Sequence, residues 1–243
     1  MTNGDAGHHE IDRARLGAIR IAEAKAAAEV IGAKSLVFDH HDGELQPTLE
    51  VRDKVIGVIR RFQADVVITH RPNDYHPDHR YTSQAVQDAA YMVTVPHVAT
   101  AEPALTKNPV FLYFMDPFKK PHPFEAHIAV DVGDAMAAKL KMLDAMASQV
   151  YEWLAWHDGV LDQVPNDPAQ RLAWLENTWQ PTFLSAAHRG RSALEKWYPK
   201  GAAAQVQYAE LFEISEYGHQ PTDEELREIF PFLPNIKGSA DDE

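Results

Sequence analysis

The stretch DVVITHRPNDYHPDHRYTSQAV, residues 65–86, changes character twice within a few turns of chain. It opens on the β-branched run Val66-Val67-Ile68-Thr69, which suits a strand buried in a parallel sheet. Residues 70–80 then crowd three histidines, two aspartates and two arginines into a polar segment. Pro77 follows, a residue suited to the first position of a helix because its missing N–H has no intrahelical partner there. A helix is expected from Pro77 to about Tyr91. Strand, polar turn and helix in this order make one βα unit. In open α/β sheets, ligands bind at the carboxyl ends of such strands.

The flanking sequence repeats the pattern. Residues 12–31 place Leu16, Ile19, Ala26 and Val30 at helical spacing and stop at Gly32, a natural helix terminus. Ser35–Phe38 reads as a short strand. Thr48 can cap a second helix with Val51, Val55, Val58, Ile59 and Phe62 on one face. Strands are expected at 109–115 and 125–132, a helix at 134–149, short helical pieces carrying all five tryptophans at 150–200, and a late strand at 205–215. Short strands alternating with helices predict an α/β, Rossmann-like, mostly parallel sheet with flanking helices. No repeat or linker interrupts the pattern, so residues 1–243 are expected to form a single domain, with 231–243 as a loose acidic tail.

Composition narrows the function classes. Hydrophobic residues make up 45% and charged residues 24%, an ordinary globular balance. A formal charge of −13 disfavours nucleic acid, whose phosphates require clustered Lys and Arg. No run reaches the roughly 18 apolar residues of a membrane span, and the N-terminus shows no secretory pattern. Zero cysteines exclude disulfides and thiolate metal sites and fit a cytoplasmic protein. A homo-oligomer is compatible with all of this.

The chemistry concentrates in His76-Pro77-Asp78-His79. His76 and His79 are three residues apart, so both imidazoles can face one spot across the first helical turn. A neutral imidazole is a common zinc ligand, and a second one beside the metal can move a proton. Asp78 or Asp74 can orient a histidine from behind. The plain alternative is a solvated turn. His70 reads as a polar plug ending the strand, and the pairs His8-His9 and His40-His41 read as solvated loop residues. The tryptophans read as core.

A wider set of residues carries a resemblance. VVITHRPNDYHPDHRYTSQAVQDAAY, TNGDAGHHE at 2–10, Arg20-x-x-Glu23 ahead of an Ala-rich helix, DGEL at 42–45 and VDVGDAMAAKLKMLDAMASQ at 130–149 together resemble the PIG-L/LmbE-like zinc-dependent N-acetylglucosaminyl deacetylases. The resemblance implies one zinc ion held by two histidines and an aspartate. It implies His79 as a zinc ligand and His76 as the imidazole that steadies the oxyanion or protonates the leaving amine. Arg71 and Asp74 would shape the pocket, and Asp5, Arg20 and Asp42 would face an N-acetylated sugar or sugar conjugate. Each has a bland counterpart: a turn aspartate bonding its own backbone for Asp5 and Asp42, and a pair with Glu23 for Arg20.

The family's A-H-P-D-D-E-like signature has no counterpart in this sequence, and Met146 stands where many relatives have histidine. The other zinc ligands and the general base would come from that signature, and the first strands of the fold are expected to be missing. The expectation is therefore a zinc-dependent de-N-acetylase, impaired in this truncated form. The alternative is a non-catalytic sugar-binding or interaction module derived from the same family.

Overall fold

The computed structural model describes residues 1–234. Nine α-helices and four strands follow one another along them: α1 (Arg13–Val30), α2 (Leu49–Phe62), β1 (Val66–Thr69), α3 (Pro77–Met92), β2 (Val110–Phe114), β3 (Ile128–Asp131), α4 (Met136–Asp144), α5 (Ala155–His157), α6 (Pro168–Arg189), α7 (Arg191–Trp197), α8 (Lys200–Gln205), β4 (Ala209–Gly218) and α9 (Asp223–Ile229). By contacts they group into two compact units, one of residues 1–45 with 132–183 and one of residues 46–131 with the described residues from 184 onward. Of the expected acidic tail, Leu233 is buried, and residues 235–243 lie outside the described residues.

The second unit holds the sheet. Its order is β1-β2-β4-β3, with β1 parallel to β2 and β4 antiparallel to both β2 and β3. Three strands therefore run one way and the longest runs against them. This is the mixed α/β sheet expected from the alternating pattern, with one reversal that the pattern does not encode. Among the described residues β1 pairs with β2 alone, so it is an edge strand, and Ile68 is exposed rather than buried on both faces. Behind the sheet, Ala129, Leu194, Ala203, Val206 and Leu211 form an apolar cluster with Ala186, Ala187, Ala193 and Ala209. Trp197, fully buried, donates its indole N–H to the His127 carbonyl at 2.8 Å. Gly218 marks the end of β4 with φ +80°, and a Cβ there would sit 2.6 Å from the Pro109 carbonyl oxygen, so only glycine fits.

The helix limits follow local chemistry. The Asp12 side chain accepts from the Arg15 N–H to start α1, and Thr48 accepts from Val51 to start α2, as its position predicts. In the first unit, α1 packs against α4 and the π-helix Ser148–Leu154. The helix expected over 134–149 is thus shorter and is followed by a wider turn. The strand expected at Ser35–Phe38 does not form. Residues 33–39 run without ladder partners, Leu36 is exposed, and one parallel bridge joins Thr2 to His40.

Candidate functional site

The carboxyl end of β1 delivers His70, and the chain reaches α3 through a turn organised by Asp74. One Asp74 carboxylate oxygen accepts the His76 backbone N–H at 2.9 Å and lies 3.0 Å from His79 Nδ1. His76 is the N-cap of α3: its Nδ1 accepts the Asp78 backbone N–H at 3.2 Å. An imidazole is an unusual cap, and it works because an acceptor nitrogen meets one of the unpaired donors of the first turn. The His76 and His79 rings lie 4.8 Å apart, so the predicted pair does sit together on the first turn.

His70 belongs to the same cluster. Its ring stacks on His79 at 4.1 Å, with 10° between the planes, and Phe114 meets its other side edge-on at 4.6 Å. Burial first, and then the neighbouring His79 imidazole, lower His70 to about 4. A neutral His70 can lie against His79 without charge repulsion. Tyr75 closes the far side of His79, its ring edge-on at 5.7 Å. His70, Asp74 and His79 each offer a ligand atom, all within 4.8 Å of one another. Imidazole nitrogens with a carboxylate suit a divalent ion such as zinc, so the residues present fit the metal that the resemblance implies.

Arg71 is buried, and its two terminal nitrogens are engaged. It donates to Asp116 at 3.1 Å and to the His122 carbonyl at 2.7 Å, and its Nε lies 3.3 Å from Glu213. This pins the 116–122 segment and gives the pocket loop a fixed edge.

The remaining predicted residues lie in the first unit. Asp5 is buried, accepting the Asp42 N–H at 3.0 Å and Arg13 at 3.2 Å, with His41 Nδ1 at 2.6 Å. Burial raises its pKa, but these hydrogen bonds outweigh it and hold the carboxyl below its ordinary value. Asp42 is tied through its backbone: its N–H to Asp5, its carbonyl to Arg13 at 3.2 Å. Arg20 donates to the Gly7 carbonyl at 2.9 Å and to Gln149, and burial lowers its pKa. Glu23 takes both the Ser148 N–H and hydroxyl, at 2.7 and 2.6 Å. In the same unit His8 is nearly buried, bonds Glu152 at 2.9 Å and stacks on His9, which stacks on Trp156. These two histidines are packed, not solvated. The spacing of Trp153 and Trp156, which places both on one helical side, was the available signal.

Residues 1–90 match the PIG-L family, described as GlcNAc-PI de-N-acetylase. Diacetylchitobiose deacetylase of Thermococcus kodakarensis is 30% identical over 167 residues, covering 64% of this chain and 57% of the relative. 4-Oxalmesaconate hydratase of Pseudomonas putida is 25% identical over 150 residues, covering 59% and 56%. The chain thus spans under two thirds of these relatives' length. Among solved structures, N,N'-diacetylchitobiose deacetylase of Pyrococcus horikoshii superposes with a TM-score of 0.63 at 22% identity, over 88% of this chain and 70% of that one. The hydratase GalB of P. putida gives 0.65 at 18% identity, over 88% and 78%. These two likenesses concern the fold.

Proposed function

We propose that this chain, whose residues 1–90 match the PIG-L family, is built for zinc-dependent removal of an N-acetyl group from a glucosamine-type sugar or conjugate. The observation that carries the reading is the pair of imidazoles, 4.8 Å apart, on the first turn of α3 at the carboxyl end of β1. His79 is the residue that would hold zinc, with His70 and Asp74 beside it. Zinc, when bound, polarises an amide carbonyl and lowers the pKa of water. His76 uses Nδ1 to cap α3, so its proton sits on Nε2. From there it can steady the oxyanion of the tetrahedral species or pass a proton to the departing amine. Arg71 fixes the loop edge, and Asp5, Arg20 and Asp42 keep the sugar-facing role that the family resemblance implies.

The activity of this chain is impaired in this reading, because the sequence offers no second His-Pro-Asp-type signature to complete the zinc ligands and supply a base. The test is to incubate the chain with diacetylchitobiose and excess zinc, following acetate release and the His76 and His79 NMR signals. Expected are sugar-dependent shifts of both imidazoles and a slow acetate release abolished by chelator and by His76→Ala. Shifts without any release would favour the non-catalytic sugar-binding module. Neither shifts nor release would overturn both readings.

A further inference from the structure

We infer that Asp74 is a positioning residue that gives His76 and His79 opposite tautomers, making one ring a proton donor and the other a ligand. An ionised carboxylate only accepts hydrogen bonds. Since Asp74 Oδ1 lies 3.0 Å from His79 Nδ1, the His79 proton sits on Nδ1 and the lone pair of Nε2 is left outward. The same oxygen holds the His76 N–H at 2.9 Å, while His76 Nδ1 accepts from Asp78 and carries its proton on Nε2. Three residues apart, the two rings are thus set in opposite senses by hydrogen bonds within one turn.

The carboxylate is itself held. Its side chain is only 9% exposed, so water competes poorly for it. Arg80 donates to the Asp74 and Tyr75 carbonyls at 2.7 and 3.0 Å, bracing the turn from behind. The His70 ring stacks on His79 at 4.1 Å and walls one face of it, and the Tyr75 ring meets it edge-on at 5.7 Å. Asp74 is thereby an orienting group and not a direct sugar contact. The use of the two tautomers rests on the deacetylase reading; the tautomers themselves do not.

The experiment is a long-range proton–nitrogen correlation spectrum of the metal-free chain at pH about 8, above the ordinary imidazole range. His76→Gln and His79→Gln spectra assign the two rings. Expected is Nδ1–H for His79 and Nε2–H for His76. In Asp74→Ala, His79 shifts toward Nε2–H and zinc affinity, read by competition with a chromophoric chelator, falls about 10–100-fold. Asp74→Asn, which keeps an acceptor oxygen, restores part of both. A wild-type His79 protonated on Nε2 overturns the inference, and that spectrum decides even if Asp74→Ala does not fold. So does a folded Asp74→Ala with tautomer and zinc affinity unchanged. Correct tautomers in a chain that neither binds nor cleaves N-acetylated sugar would sink the functional reading alone.

Discussion

Asp5 shows how much one carboxylate can organise. It is 3% exposed, and it joins the first loop to the 41–42 turn and to α1 through Asp42, His41 and Arg13. A buried carboxylate accepting several hydrogen bonds favours its charged form, and the net effect lowers its pKa. The sign follows from linkage. The folded state binds the Asp5 proton less readily than the unfolded state, so its contribution is complete above the ordinary aspartate range and is lost as pH falls through the lowered folded value. Asp5→Asn keeps the shape and removes the charge. It is expected to cost about 1.5–3 kcal/mol at neutral pH, the range for hydrogen bonds to charged groups. Denaturant melts of both proteins from pH 7 to pH 3 should show the gap closing as pH falls. A gap that is constant with pH would mean that the Asp5 charge contributes nothing.

Helices α2 and α3 are joined by a residue that no periodicity rule marks. Arg60, 1% exposed, donates to the carbonyls of Met92, Val93, Val95, Val98, Ala99 and Glu102 at 2.7–3.1 Å. Its charge lies at the carbonyl end of α3, where the helix dipole favours a cation. It also holds the turn in which Ala99 takes φ +48°. Lysine has three donors and no planar fork, so Arg60→Lys would leave several buried carbonyls unpaired. A loss of about 3 kcal/mol or more is expected, read from the midpoint of urea unfolding. A loss below about 1 kcal/mol would show that water replaces the guanidinium. On sequence grounds Arg60 passes for one more charge at a helix end. Local sequence makes α1, α2 and α3 legible, α2 through its apolar spacing and α3 through Pro77, whereas Ala26 and Val30, expected on the inner face of α1, are exposed. The direction of β4 is not legible: alternation along Ala209–Gly218 is the same whichever way the strand runs. Ser35–Phe38 has a strand's composition but no ladder to join. At the site, the spacing of His76 and His79 was readable, since helical geometry alone brings them together. The stack of His70 on His79 and the choice of Asp74 as its partner were not, because both depend on how the 71–76 turn folds back.

For the molecule as a whole, the question is whether metal belongs to the fold or only to the chemistry. The two units each bury an apolar interior that owes nothing to an ion: Leu16, Tyr151 and Leu175 in one, the alanine-rich cluster with Leu194 and Leu211 in the other. A structural zinc would instead be closed by four protein ligands, and its removal would unfold the chain. Here the ligand candidates sit on one surface turn, with His70 stacked flat and Asp74 already engaged by His79. Zinc binding is therefore expected to be weak. At a concentration about ten times the dissociation constant, a ligand stabilises a fold by only about 1.4 kcal/mol. The expected outcome is a melting temperature unmoved by chelator, raised by a few degrees at most by excess zinc, with that rise gone in His79→Ala. Differential scanning calorimetry of the purified chain with chelator, with zinc and with zinc on His79→Ala provides the measurement. Unfolding on chelation would show that metal holds the fold together. A rise that survives in His79→Ala would move the ion away from the turn at the end of β1.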